Sequence, residues 1–365
     1  MLAGTAAVSL VLPAAAQAVT KQVYEGLPPQ PQKKFIDPKY NTDAIDFFPH
    51  TATIHVGDSV KFSATAFHNV DIPARGKKPI DLLVAAGGAI SGSVDAAGNP
   101  YWFNGLPNFG FNPALISGHP PVNYDPFKTA KGKGRFFTYT GAKGVATPIP
   151  FEDNPKPLTV KFAKAGTFKY YCDLHAGMTG TIKVVGKTHK IPSAKADAKT
   201  LKAQIDRDFK IAKTLNKTPM PANTISVGYA GAHGVEFFGY LPTTTTVPAG
   251  TTVRFQMSPK SYESHTATTG PGDPIKDPNS YLGIIAASFF SPQFVPQGVY
   301  PSQPFGAVAS LTPTSHGNGF WNSGALDVVA SSPQPASASV TFSAPGTYQF
   351  YCMVHPQMHG TVIVT

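Results

Sequence analysis

Residues 171–180 read Tyr171-Cys172-Asp173-Leu174-His175-Ala176-Gly177-Met178-Thr179-Gly180, and residues 351–360 repeat the pattern as Tyr351-Cys352-Met353-Val354-His355-Pro356-Gln357-Met358-His359-Gly360. Both follow the form Tyr-Cys-x-x-His-x-x-Met-x-Gly, and equivalent residues lie 180 positions apart. These two segments hold the 2 cysteines of the 365-residue chain. Because the spacing of three uncommon residue types recurs, the sequence predicts two similar halves.

A thiolate, an imidazole and a thioether within seven residues form a soft ligand set. One further histidine completes the His2Cys site with a weak methionine that is typical of blue copper. That histidine is expected well upstream, and the best candidates are His68, six residues after Phe62, and His265, ten residues after Phe255. The predicted metal ligands are therefore His68, Cys172, His175 and Met178 in one site, and His265, Cys352, His355 and Met358 in the other.

The segments upstream of the two motifs are also alike. Residues 47–62 and 240–255 alternate apolar and polar residues and share Pro, Gly, Val and Phe at a constant offset of 193 positions. A turn at Gly57-Asp58 separates two alternating runs, which predicts two strands. A further pair of similar segments is 102–105, read Trp-Phe-Asn-Gly, and 320–324, read Phe-Trp-Asn-Ser-Gly.

These patterns predict an all-β fold of two tandem β sandwiches joined by a helical linker. We expect a signal peptide at 1–18, an extended lead-in at 19–43, β domains at 44–187 and 223–365, and a basic linker at 188–222. Within the linker, apolar residues recur at three- and four-residue steps, which predicts an amphipathic helix. Those apolar residues are Leu201, Ile205, Phe209, Ala212 and Leu215.

The composition narrows the function classes. The formal net charge is +10, but charged residues make up only 14% of the chain, and the lysines are densest in the linker. Nucleic-acid binding would favour basic residues clustered around stacking aromatics, so we do not expect it. The charge instead favours an acidic partner protein or association with an anionic cell surface. No segment is long and apolar enough to predict a transmembrane helix.

The amino-terminal segment predicts export. Residues 2–18 are small and apolar and end on Ala16-Gln17-Ala18, an Ala-x-Ala cleavage pattern. In an oxidising compartment a free cysteine is a hazard unless a metal occupies it. A disulfide between Cys172 and Cys352 would require two equivalent sites on separate domains to meet, so we do not expect one. We therefore predict a periplasmic, cell-surface or extracellular protein.

The strand pattern, the His68-Asn69-Val70 segment and the two Cys-x-x-His-x-x-Met loops resemble the cupredoxins, the type 1 copper proteins that include plastocyanin and azurin. The loop spacing is most similar to that of amicyanin. The resemblance covers both β domains and implies Greek-key β sandwiches with one copper each. It also implies that His68 and His265 are buried ligands, that His175 and His355 lie at the solvent edge, and that Met178 and Met358 are axial.

Two features depart from that family. The segments between the upstream histidine and the cysteine span 104 and 87 positions and contain long inserts, near 74–150 and 270–330. Those inserts are expected to cover the copper end or to build a partner surface. Three further histidines, His119, His233 and His316, have no assigned role.

Three functions fit two such domains. The first is electron transfer between redox partner proteins, which we favour, without enzymatic activity. The second is an oxidase or nitrite reductase, but a catalytic copper centre would need histidines that flank the cysteines or occur as His-x-His, and the sequence has neither. The third is copper storage or delivery, which would favour methionine-rich tracts, whereas the chain has 6 methionines.

Overall fold

The protein is mostly β structure. The computed structural model describes residues 18–116, 135–151, 155–291, 293–329, 332 and 334–365. Within these ranges, no helix combines the length and the apolar composition that crossing a membrane requires.

The strands fall into two groups along the chain. The first group is β1 (Thr20–Glu25), β2 (Thr42–Ala44), β3 (Phe47–Phe48), β4 (Thr51–His55), β5 (Ser59–Ala64), β6 (Asp71–Ile72), β7 (Leu83–Ala89), β8 (Pro107–Phe111), β9 (Arg135–Tyr139), β10 (Val145–Ala146), β11 (Leu158–Phe162), β12 (Gly166–Tyr171) and β13 (Thr179–Val185). The second group is β14 (Thr224–Ala230), β15 (Val235–Leu241), β16 (Thr244–Val247), β17 (Thr251–Gln256), β18 (Thr268–Thr269), β19 (Ala309–Leu311), β20 (Trp321–Asn322), β21 (Ser337–Phe342), β22 (Gly346–Tyr351) and β23 (His359–Val364). The α-helices are α1 (Pro29–Phe35), α2 (Pro113–Ile116), α3 (Ala194–Leu215), α4 (Tyr281–Ser288) and α5 (Pro296–Val299).

Ten strands of the first group form the first sandwich, whose two sheets have the orders β3-β1-β5-β11-β9 and β10-β6-β12-β13-β4. Period-two burial explains why these segments are strands: in β5, Val60 and Phe62 point into the core while Lys61 between them is exposed. The core between the sheets is aromatic at its centre, where Phe47 and Phe62 meet Tyr170 edge-on at ring-centroid distances of 4.6 and 5.1 Å.

The second sandwich has the sheets β19-β21-β17-β14-β15-β2 and β16-β23-β22-β18-β20. Its order matches the first, with β14, β17, β21 and β19 in the places of β1, β5, β11 and β9. The other sheet likewise places β20, β18, β22, β23 and β16 where the first has β10, β6, β12, β13 and β4. Neighbouring strands are mostly not consecutive in sequence, because the chain crosses between sheets. The predicted all-β fold of two tandem Greek-key sandwiches is confirmed.

Residues 19–43 are more than the extended lead-in that the sequence predicted. Thr20–Glu25 is a full strand of the first sandwich, paired in parallel with β5. Thr42–Ala44 crosses over and pairs antiparallel with β15 of the second sandwich. The prolines at 28–31 had indicated an extended segment, but Pro29 instead begins helix α1, where a missing N–H costs nothing.

The similar segments 102–105 and 320–324 do not occupy equivalent positions in the two sandwiches. Trp321–Asn322 forms the strand that pairs with β18. Its counterpart in the first sandwich, paired with β6, is Val145–Ala146. Trp102 lies in a turn of the insert and donates its indole N–H to the Pro301 carbonyl at 2.8 Å. Similar sequences therefore occur in the two halves here without a shared strand position.

The predicted linker helix is confirmed as α3. Ser193 caps its first turn by accepting the Ala196 N–H at 3.3 Å. Its apolar face joins a cluster with α1, β2 and β15 that contains Phe35, Ala44, Ala212, Leu215 and Phe237. The helix thus packs on the strand that crosses between the two sandwiches, and it covers that crossing from solvent.

The two inserts pack on each other. The hairpin β7–β8 and helix α2 of the first insert share an apolar cluster with α4 and α5 of the second. Its members include Tyr101, Phe103 and Leu115 from the first insert and Leu282 and Phe320 from the second. Met353, which follows Cys352, lies in the same cluster. This third core joins the sandwiches close to the two Cys-His-Met loops.

A substitution at Phe35 tests how the segment that crosses between the sandwiches packs against α3. The Phe35 ring is 0% exposed and lies 5.2 Å from the Phe209 ring of α3. We expect Phe35→Ala to lower the free energy of unfolding by about 3–5 kcal/mol through loss of buried area and a cavity. Urea denaturation followed by circular dichroism measures the loss. The matched control is Ile36→Ala, at a side chain that is 53% exposed; equal effects of the two changes would contradict this packing.

Candidate metal centres

Each Cys-His-Met loop joins two antiparallel strands, β12 to β13 and β22 to β23. In the first loop, the Cys172 N–H donates to the Met178 carbonyl at 3.0 Å and the Met178 N–H donates to the His175 carbonyl at 2.8 Å. The second loop repeats both bonds at 3.1 and 2.8 Å. The loops therefore have the same backbone form, although one contains Gly177 and the other Pro356.

The upstream histidines lie between β5 and β6 and between β17 and β18. The residue after each histidine ties it to the cysteine loop. Asn69 Oδ1 accepts the Asp173 N–H at 2.8 Å, and Thr266 Oγ1 accepts the Met353 N–H at 2.8 Å. We did not identify Asn69 and Thr266 from the sequence. The sequence did contain a signal for this contact: a polar residue directly follows each candidate histidine, and a loop residue directly follows each cysteine.

The structure brings three donor atoms together in each sandwich. In the first, His68 Nδ1 and His175 Nδ1 are 3.0 Å apart, and Cys172 Sγ lies 3.4 Å from His175 Nδ1 and 4.0 Å from His68 Nδ1. In the second, the two Nδ1 atoms of His265 and His355 are 3.1 Å apart, and Cys352 Sγ lies 3.7 and 3.8 Å from them. These are the two groups of metal-ligating type among the described residues.

The donor set fits a soft metal ion. Donor separations of this size are those set by a central ion with bonds of about 2.0–2.3 Å to nitrogen and sulfur. Two Nδ1 atoms that face each other share one proton at most, whereas a cation satisfies both lone pairs and the sulfur. Met178 and Met358 are buried beside these groups. As metal ligands, all eight residues remain a prediction.

Burial keeps the upstream histidines neutral, which is the form of imidazole that can bind a metal. It lowers the pKa of His68 well below the ordinary value and the pKa of His265 to about 3, so both rings are neutral at physiological pH. Burial raises the pKa of Cys352 to about 11, so a metal that binds its sulfur displaces the thiol proton. The Thr266 N–H points at that sulfur from 3.3 Å and stabilises its charged form.

A glycine backs each upstream histidine. Gly26, at φ +93°, directly follows β1, and Gly228, at φ +72°, lies within β14, the equivalent strand of the second sandwich. A Cβ on Gly26 would lie 2.7 Å from His68 Cδ2, and a Cβ on Gly228 would lie 2.5 Å from His265 Nε2. Glycine is therefore favoured at both positions for two reasons: a side chain would clash with the imidazole, and the left-handed backbone conformation suits glycine.

The expectation that His175 and His355 lie at the solvent edge is wrong. Their side chains are only 8% and 18% exposed, and both Nε2 atoms face the carboxylate of Glu263, at 3.1 and 3.5 Å. Burial alone would raise the pKa of Glu263, but the charges of His175 and His355 outweigh it and hold that pKa well below its usual range. The two loops thus face each other across the junction of the sandwiches.

A cavity of about 670 Å³ opens beside this junction. His68, His175, His355 and Glu263 border it on one side. Its other walls are mainly apolar side chains of the inserts and of the connecting strands, among them Phe67, Phe109, Phe111, Phe238 and Phe290. The inserts therefore shape the space next to the predicted metal ligands, which is one of the two roles expected for them.

The unassigned histidines lie apart from these groups or outside the description. His119 is not among the described residues. His316 Nδ1 lies 3.1 Å from Asp95 Oδ2 and its ring stacks on Tyr101 at 5.3 Å. His233 occupies a turn with φ +61°. Neither His233 nor His316 belongs to a group of three metal-ligating side chains in the described part of the chain.

Comparison with known proteins gives similarity at the level of solved structures. No protein-family profile and no curated protein matches the sequence. A mutant plastocyanin of fern is 21% identical, covering 39% of this chain and 99% of its own, with a TM-score of 0.20. A novel purple cupredoxin from Nitrosopumilus maritimus is 18% identical over 39% of this chain and 98% of its own, with a TM-score of 0.21. Amicyanin from Paracoccus versutus is 17% identical over 40% of this chain and 85% of its own, with a TM-score of 0.21.

Gly26 tests the position of His68. We expect Gly26→Ala to displace the imidazole and to weaken Cu(I) binding at the first site by about tenfold or more. The affinity is measured by chelator competition in a Cys352→Ser background, where the measured Cu(I) binding comes from the first site alone.

The control is Gly57→Ala, which adds a methyl group at a similar φ of +92° with nothing within 4 Å. It should lower stability without changing Cu(I) affinity. Equal losses of affinity in both variants would show that backbone strain, and not the ring contact, is responsible.

Proposed function

We propose that the protein is an exported electron carrier with two type 1 copper sites, one in each sandwich. The observation that supports this most directly is the duplicated His-Cys-His triangle with a buried methionine in the same loop. Bound copper would supply one-electron exchange between Cu(II) and Cu(I). The ligands would be His68, Cys172, His175 and Met178, and His265, Cys352, His355 and Met358.

The chain's own residues suit that role. Backbone bonds within each loop and the Asn69 and Thr266 contacts hold the donor atoms on strands, so their positions do not depend on the oxidation state of the ion. Burial of the cysteines, the methionines and the upstream histidines limits contact between the donor atoms and water. Four protein donors around each ion leave no position for a substrate, and this favours a relay over an enzyme.

The second candidate is an oxidase or nitrite reductase. Its support is the cavity beside His175 and His355, which could admit a small molecule. Against it stands the lack of a further cluster of metal-ligating side chains within the described ranges. Copper storage or delivery has no such support, because the buried ligands would release a metal only slowly.

Export and the redox partner belong to the same proposal. The apolar segment before Val19 favours export. In an oxidising compartment, a bound metal would protect the two unpaired cysteines from oxidation. The net charge of +10 favours an acidic redox partner or a negatively charged cell surface. Exposed apolar side chains at the cavity mouth, including Phe67 and Phe290, offer that partner a contact surface.

Metal content gives the first test. We expect two copper ions per chain and an intense blue colour in the oxidised protein, because each sandwich has a complete ligand set. Elemental analysis and the visible spectrum measure both. Cys172→Ser and Cys352→Ser should each remove one copper and leave the other site coloured. One copper per chain in the copper-replete protein would contradict the two-site assignment.

Turnover gives the second test. We expect fast one-electron exchange with small redox proteins and no appreciable consumption of oxygen, nitrite or phenols by the copper-loaded protein, because no ligand position is open. Stopped-flow reduction and an oxygen electrode measure these rates. Enzyme-like turnover would overturn the relay assignment, and replacement of His119, His233 and His316 by Ala would then locate the missed metal.

A further inference from the structure

Glu263 lies between the two ligand groups, although it belongs to the second sandwich. Its Oε1 is 3.1 Å from His175 Nε2 of the first sandwich, and its Oε2 is 3.5 Å from His355 Nε2 of the second. The carboxyl side chain is only 7% exposed. One buried carboxylate therefore faces one ligand histidine of each site, with a separate oxygen for each ring.

The segment that carries Glu263 is held on both sides. Its own N–H donates to Ser261 Oγ at 3.1 Å, and Ser261 Oγ–H donates to Glu236 Oε2 at 2.7 Å. The preceding Tyr262 packs on the first Cys-His-Met loop so closely that a Cβ on Gly177 would lie 2.1 Å from its ring. Glycine at 177 is thus required by the contact between the sandwiches, and the carboxylate has little freedom to move away from the imidazoles.

The chemistry of imidazole gives this contact a role. A neutral ring carries one proton, on Nδ1 or on Nε2, and a metal needs the other nitrogen free. In both groups Nδ1 faces the cysteine, so a metal requires the proton on Nε2. A carboxylate accepts that Nε2–H and thereby fixes the tautomer and the ring orientation. An acceptor with two oxygens can do this for two rings at once.

We propose that Glu263 is a positioning residue shared by both metal sites, which holds His175 and His355 in the tautomer that presents Nδ1 to the metal and joins the sites into one hydrogen-bonded unit. This inference rests on the proposed copper sites. The two groups are then linked through Glu263 by the contact of 3.1 Å with His175 Nε2 and the contact of 3.5 Å with His355 Nε2. A change at one residue of the second sandwich must therefore alter the site in the first.

Variants that keep a single site separate the effect of Glu263 on the first site from its effect on the second. Cys352→Ser leaves the first site and Cys172→Ser leaves the second, and Cu(I) affinity is measured in each by chelator competition. Glu263→Leu removes both acceptor oxygens at similar volume, so we expect affinity to fall by about ten- to a hundredfold at both sites. Glu263→Gln keeps one acceptor oxygen and turns an NH2 group to the other ring, so one site should recover and the other should not.

The control is Asp43→Asn. Asp43 lines the same cavity but accepts the Ala44 N–H at 2.7 Å. This change should leave both affinities within experimental error if imidazole contact, and not charge in the cavity, matters. An unchanged first site in Glu263→Leu, or recovery of both sites in Glu263→Gln, would overturn a shared positioning role.

A measurement on the unaltered chain guards against misfolded variants. Two-dimensional ¹H–¹⁵N spectra of the diamagnetic Cu(I) protein should show protected Nε2–H protons on both His175 and His355, and an unprotonated Nε2 on either ring would refute the proposal. A chain that binds no copper would refute the proposed function instead. In that case the same spectra of the metal-free protein still decide whether Glu263 fixes both rings.

Discussion

Two backbone hydrogen bonds inside each Cys-His-Met loop set the positions of the donor atoms. They close a tight turn between antiparallel strands, and the turn leaves cysteine, histidine and methionine side chains at one end of the sandwich. The upstream histidine is then placed by the side chain of its neighbour, Asn69 or Thr266, which bonds to the residue after the cysteine. Much of the remaining architecture, including both β cores, serves to keep these strand ends rigid.

The sequence predicted the parts of the structure that depend on local patterns. Spacing alone identified the two loops, and alternation identified β4, β5 and their counterparts, because these signals lie within a few residues. Prediction from the sequence failed where contacts between distant segments determine the structure. The strand Thr20–Glu25 has a proline-rich segment directly after it, which concealed its pairing with β5. The similar segments 102–105 and 320–324 hold different positions, because sequence similarity carries no information about strand neighbours.

The sequence could not predict that the two sites face each other, because that arrangement also depends on segments far apart in the chain. Nothing near Glu263 in sequence distinguishes it from an ordinary surface acid, and its importance arises only when His175 approaches from another sandwich. The inserts, which look like irregular Gly- and Pro-rich segments, build the third core that helps to fix this approach. Packing between Tyr101, Phe103, Leu282 and Phe320 thereby supports the approach of the His175 and His355 rings from a separate apolar cluster.

Glu263 has no equivalent in the first half: Ala66 stands two residues before His68, where Glu263 stands two residues before His265. A dimer of identical subunits would place either two carboxylates at such a junction or none, since symmetry makes both copies alike. Two buried carboxylates would repel, and none would leave both rings unguided. A single acid between two rings therefore requires two halves that differ at this position. In this chain the two halves of the repeat do differ there, and that difference allows the junction to hold one carboxylate instead of two or none.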